Sequence, residues 1–181
     1  VERLYGWNTL EVLAMTSGNP QRPMNAIPGK ATAVCQLRFV VGTDWENIAQ
    51  HLESPLAAAG FADVKAELLR GSPATRLDPE DPLVGWALAS MQKSSGKKPA
   101  LLPNLGGSLP NDVLANILQL PTLWMPHSYP ACGQHAADEH MLKSIAREGL
   151  IMMTRLLWEF GENGEQLVAA HKAYQQQGQA S

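Results

Sequence analysis

The sequence predicts an α/β chain in two parts, and three observations carry this. Residues 1–70 read as strand, strand, helix, strand. Residues 71–181 read as alternating helix, strand, helix, strand, helix. Between them, residues 71–79 are rich in Gly, Ser and Pro and mark a boundary. The first part, residues 1–70, holds most of a split βαβ sandwich without its leading β–α pair. The second part, residues 71–181, has the pattern of a layered α/β domain.

Each element follows from local pattern. Residues 9–15 alternate loosely and run into Ser17-Gly18-Asn19-Pro20, a strand ending in a turn. Residues 19–29 carry three prolines and form a loop. Residues 31–41 alternate with Ala33, Cys35, Leu37 and Phe39 on one face and Thr32, Gln36 and Arg38 on the other, which predicts a half-buried strand. Asp44 is positioned to cap a helix whose apolar side is Ile48, Leu52, Leu56 and Ala59, with a break or kink at Pro55 and an end at Gly60. Val64, Ala66 and Leu68 make residues 62–69 a third strand.

Pro82 suits the first turn of a helix whose face is Leu83, Trp86, Ala87, Ser90 and Met91, ending near Gly96. Short strands are expected at 99–102 and 122–125, with a short helix at 113–118 between them. A polar loop at 126–135 leads to a long helix from about Asp138 to Phe160. A last helical stretch follows at 165–174, then a frayed polar tail.

Composition excludes several classes. The net charge is −3 at pH 7, so there is no global basic field for nucleic acid. The longest apolar runs fall far short of a membrane span. Cys35 and Cys132 are too few and too far apart for a disulfide framework or a CxxC knuckle, and read as reduced thiols of a cytoplasmic protein. The chain starts at Val1 without methionine or a signal-like segment, and is expected to be a fragment.

Three groups of residues could carry chemistry. Gly106, Gly107 and Ser108 follow a predicted strand and precede a helix, where a bare backbone can approach a ligand; ordinary turn chemistry is the alternative. His127, His135 and His140 fall within 14 residues together with Asp138 and Glu139, and imidazole is a common ligand for zinc-like metals. The alternative is surface or packing histidines. Arg38 could hold a carboxylate with its guanidinium fork, and Asn25 lies in the preceding loop; a solvated surface arginine is the alternative.

The order of these segments is more telling than any one of them. Asn25-Ala-Ile-Pro-Gly-Lys-Ala, an arginine 13 residues after that asparagine, Gly106-Gly-Ser-Leu-Pro, Pro126-His-Ser-Tyr and His135-Ala-Ala-Asp-Glu-His together resemble the M20 family of metal-dependent peptidases and deacylases. That family includes acetylornithine deacetylase, succinyl-diaminopimelate desuccinylase, aminoacylase, carboxypeptidase G2 and carnosinase-like dipeptidases. The dipeptidase-like branch is the nearest in flavour. The resemblance implies a split-βαβ lid that mediates homodimerisation, here partial over 1–70. It also implies the C-terminal part of a layered, zinc-peptidase-like catalytic domain over 71–181. By this likeness His135 is a metal ligand, and Glu139 and His140 shape the loop that holds it. Asn25, Arg38, Gly106, Gly107 and Ser108 bind substrate.

The implied reaction is hydrolysis of a peptide or N-acyl amino acid amide bond. Two divalent metal ions, zinc with cobalt or manganese as alternatives, share a water that a glutamate deprotonates. The family's H-x-D segment and Glu-Glu pair are missing from this sequence. The chain alone is therefore expected to bind no metal tightly and to be inactive, since zinc catalysis uses about three protein ligands. One rival is a non-catalytic lid-like dimerisation or binding module. Another is an enzyme built only on the local histidine cluster with Asp138. Nucleic acid and membrane partners are not expected.

Overall fold

Alternating side chains and the turn-rich segment between them give the chain its one ladder among the described residues. The structure is a computed structural model and describes residues 2–102, 104, 105, 107 and 109–179. A short helix, α1 (Glu2–Gly6), precedes strand β1 (Thr9–Ser17), which pairs antiparallel with β2 (Ala31–Arg38). The register runs from Thr9↔Arg38 to Ser17↔Ala31, with a bulge between Val12 and Ala14. Helix α2 (Ile48–Ala58) follows, then α3 (Pro82–Ser95), a single π turn (Val113–Ile117), a 3-10 turn (Pro130–Cys132) and the 37-residue α4 (Lys143–Gln179). The fold is mixed α/β with a small two-stranded sheet and helices.

The chain divides into two compact units. The first is Val1–Arg76 with Asn104–Leu120, and the second is Leu77–Pro103 with Pro121–Ser181.

In the first unit, Asn8 staples the base of the hairpin. Its Oδ1 accepts from the Val40 N–H at 3.0 Å, and its Nδ2 donates to the Thr43 hydroxyl at 3.2 Å. The strands form as predicted but are not half-buried: nearly all of β1 and most of β2 are exposed. A two-stranded ribbon has no second layer to bury its apolar side. Helix α2 begins at Ile48 rather than at Asp44. Asp44 instead accepts two hydrogen bonds from the Asn47 amide and one from His51, and these hold its carboxyl below the usual aspartate range. Pro55 lies inside α2 without ending it. Residues 62–69 do not join a sheet. Their backbone is held by α2 instead, with the Ala66 N–H donating to Glu53 Oε1 at 2.7 Å.

In the second unit, α3 and α4 pack along each other. The ends of α3 are as predicted: Asp81 caps the N-terminus by accepting from the Leu83 N–H at 2.9 Å, Pro82 takes the first turn, and Gly96 closes it at φ 68°. Leu83, Val84 and Ala87 of α3 and Leu156 of α4 are buried. Trp86 meets Phe160 with ring centroids 5.8 Å apart. Residues 99–102 and 122–125 are not strands, because no ladder forms beside them. The expected break after Phe160 is also absent, and α4 runs unbroken through Gly161 and Gly164. The Phe160 ring lies over Gly164, where an added Cβ would come within 3.3 Å of it.

The two helices share a buried polar clamp. Asp81, 2% exposed, gives one carboxylate oxygen to the cap and the other to His171, 5% exposed, at 2.6 Å. Nearby, burial and then a hydrogen bond to Asp78 raise the Tyr174 phenol above its ordinary range. Removing one partner of a buried pair leaves the other unsatisfied. His171→Ala is expected to cost about 3 kcal/mol, read by urea unfolding. Lys172→Ala, at an exposed neighbour, should stay within about 0.5 kcal/mol of the parent.

Candidate functional site

The loop carrying the three clustered histidines is folded tightly rather than left as a polar linker. Pro130–Cys132 make one 3-10 turn, and Gly133 follows at φ 68°, a left-handed conformation that glycine adopts without strain. Cys132 is buried and anchors the loop. Its carbonyl accepts from the His140 N–H at 2.9 Å, and the Gly133 carbonyl accepts from the Ala136 N–H at 2.8 Å. The Glu139 carboxylate accepts from the His135 N–H at 3.2 Å. His140 Nδ1 lies 2.9 Å from the Asp138 carbonyl, and the His140 ring meets Tyr129 edge-on.

His135 does not stand at the mouth of a helix. It sits in this turn with φ 63°, exposed, and α4 begins only at Lys143. Asp138 also has positive φ, at 60°, which a helix start there would not allow. The strain of two left-handed non-glycine residues in one turn is offset by the hydrogen bonds around them. A concavity of about 430 Å³ opens on this loop, lined by Ser128, Tyr129, Pro130, Gly133, Gln134 and Ala136.

His127 lies against α4. Its ring rests in a notch on α4 made by Gly149, where an added Cβ would lie 2.7 Å from Cε1. Sequence reading gave Gly133 no role, took Cys132 only as a reduced thiol and took Gly149 only as one position of a helical pattern. A glycine inside a helical pattern is the signal that could have found the notch.

The remaining candidates lie in the first unit. Asn25 is exposed in the loop joining β1 and β2. Arg38 closes β2 opposite Thr9, at the other end of the ribbon. Seven residue steps at strand rise put the roots of the Asn25 loop about 24 Å from it. The ribbon does not bring this pair together. Gly107 is exposed, and its N–H donates to the Leu105 carbonyl at 2.9 Å. Gly106 and Ser108 lie outside the described residues. Gly107 thus belongs to the first unit and His135 to the second.

Among the described residues, no three His, Cys, Asp or Glu side chains are placed to hold one metal ion. The residues present do not fit a two-metal centre by themselves. The local cluster of His127, His135 and His140 with Asp138 is not assembled into a metal site either. Among the described residues no helix is long and apolar enough to cross a membrane.

Solved structures share the fold. The M20 family metallo-carboxypeptidase Sso-CP2 from Sulfolobus solfataricus matches 86% of this chain with a TM-score of 0.69 and 21% identity. The di-peptidase Dug1p from Saccharomyces cerevisiae matches 89% with a TM-score of 0.70 and 20% identity. The chain spans only 36% and 35% of those two proteins. No protein-family model and no curated protein sequence matches the chain. The fold is thus that of part of an M20 peptidase.

The notch makes a testable demand. Gly149→Ala drives a methyl group into the His127 ring, and is expected to cost about 1–3 kcal/mol as overpacking and to shift the His127 ring resonances in NMR. Gly161→Ala, with open space around its Cβ position, should leave those resonances unchanged.

Proposed function

We propose that this chain is the C-terminal part of an M20-type hydrolase that cleaves a peptide or N-acyl amino acid amide bond. The single observation that carries the reading is the fold likeness to two M20 peptidases across nearly all of this chain but about a third of theirs. The order of the Asn25, Arg38, Gly106–Ser108 and His135 segments supports it independently.

In this reading residues 1–70 belong to a lid that pairs two subunits, and residues 71–181 to the catalytic domain. His135 is one metal ligand, and its rigid turn, closed by Glu139 and Cys132, fixes where that imidazole is presented. Arg38 holds a substrate carboxylate by charge-assisted hydrogen bonds, which a guanidinium makes in bidentate fashion. Asn25 contributes a neutral amide. With the two at opposite ends of one ribbon, the Asn25 and Arg38 of one chain serve different places, which a paired lid accommodates. Gly106, Gly107 and Ser108 line the substrate pocket. The metal ions, zinc in this reading, take their other ligands from residues this sequence does not contain. No chemical step is assigned to the chain alone, and the protein is cytoplasmic in this reading.

The coding region 5′ of the Val1 codon tests this. It is expected to encode, in frame, an H-x-D segment and a Glu-Glu pair. A stop codon in frame directly before an initiating codon for this chain would overturn the proposal in favour of a free-standing lid-like binding module.

A further inference from the structure

The loop that presents His135 is closed in stages, one inside the next. Innermost, the Glu139 carboxylate accepts from the His135 N–H at 3.2 Å. Around that, the His140 N–H donates to the Cys132 carbonyl at 2.9 Å, and Cys132 is buried. Outermost, the His127 ring is seated on Gly149 of α4, a helix that begins at Lys143. The helix rises about 9 Å between those two residues. Both roots of the loop are therefore fixed to one rigid element. The chain itself fixes residue 143, and a side chain fixes residue 127.

The outer closure has the form of a peg in a hole. The Cε1 edge of the ring faces Gly149, with Nδ1 and Nε2 flanking it: a Cβ added there would lie 2.7 Å, 2.9 Å and 3.3 Å from those atoms. Gly149 is buried, and a side chain at its position would collide with the ring. Among the described residues three histidine rings form hydrogen bonds, His51, His140 and His171, and His127 is not one of them. Its ring is held by packing.

Closure at the roots matters because the turn inside is strained. His135 and Asp138 have φ of 63° and 60°. Residues other than glycine keep such conformations only where their surroundings impose them. Releasing residue 127 would free the whole span from there to α4. The inner hydrogen bonds alone would then have to hold the strained turn.

We propose that His127 is a positioning residue: its ring, pegged into Gly149, holds the turn that presents His135 in a fixed relation to α4. This role rests on the reading of His135 as one metal ligand of a hydrolase, whose place the peg sets.

Amide hydrogen exchange, followed by NMR on the full chain, tests it. His127→Ala is expected to speed exchange of the His135 and His140 N–H groups about tenfold and to move their signals. The Gly96 N–H, bonded to Gln92, and the Phe61 N–H, bonded to Leu56, lie at helix ends that open locally, and should exchange as in the parent. Gly149→Ala pushes the ring out while favouring helix, and should give the same local acceleration. In the His127→Ala background its methyl group no longer meets the ring, so it should add nothing further. Unchanged exchange at His135 and His140 in both variants would overturn the proposal. So would an acceleration shared equally by Gly96 and Phe61, or two effects that simply multiply in the double variant. The hydrolase reading is judged apart from this, by the codons 5′ of Val1. Its failure there would remove the ligand role of His135 and leave the exchange result standing.

Discussion

Apolar surface that the chain does not bury is the constraint on which the rest of the structure depends. The accessible surface is 14331 Å². Two compact units of half this mass would expose about 10,000 Å². Exposed large apolar side chains stand on both strands of the ribbon, on the segments at 99–102 and 122–125, and on α4. What core there is gathers where α3 meets α4, and it is organised around a polar pair. Asp81 does two things at once, capping α3 and fastening His171 of α4. Buried on both sides, that pair fixes which face of α4 looks inward, and so which looks out.

The same constraint explains what the sequence could and could not convey. Helix α3 was legible because its signals are local: Asp81 and Pro82 at one end, Gly96 at the other. The hairpin was legible because alternation and a proline-rich loop are local too. The segments at 62–69, 99–102 and 122–125 misled because a strand is a property of two segments. Val64, Ala66 and Leu68 alternate well, but alternation forms no ladder without a neighbour. Helix α4 misled in the other direction. Gly161 and Gly164 each disfavour helix by about 1 kcal/mol, yet packing on α3 carries the helix past them. The Asp81–His171 clamp spans 90 residues, and nothing local announces it.

At the candidate site, the residue types were legible and their placement was not. The histidine-rich segment stood out by composition, but its left-handed turn at His135 and Asp138 depends on Gly133 and on the buried Cys132. Among the described residues no three His, Cys, Asp or Glu side chains gather there to hold a metal ion. Asn25 and Arg38 read as one functional pair in sequence, yet the hairpin register sets them at its two ends. In the proposed hydrolase these residues are corners of one site, and completing it calls for groups from beyond one copy of this chain.

Isothermal titration of this chain with zinc tests that claim most directly. The account predicts no stoichiometric binding in the submicromolar range and no hydrolysis of dipeptides or N-acyl amino acids with the metal present. One or two ions bound per chain at that affinity, with amide cleavage that His135→Ala abolishes, would contradict it.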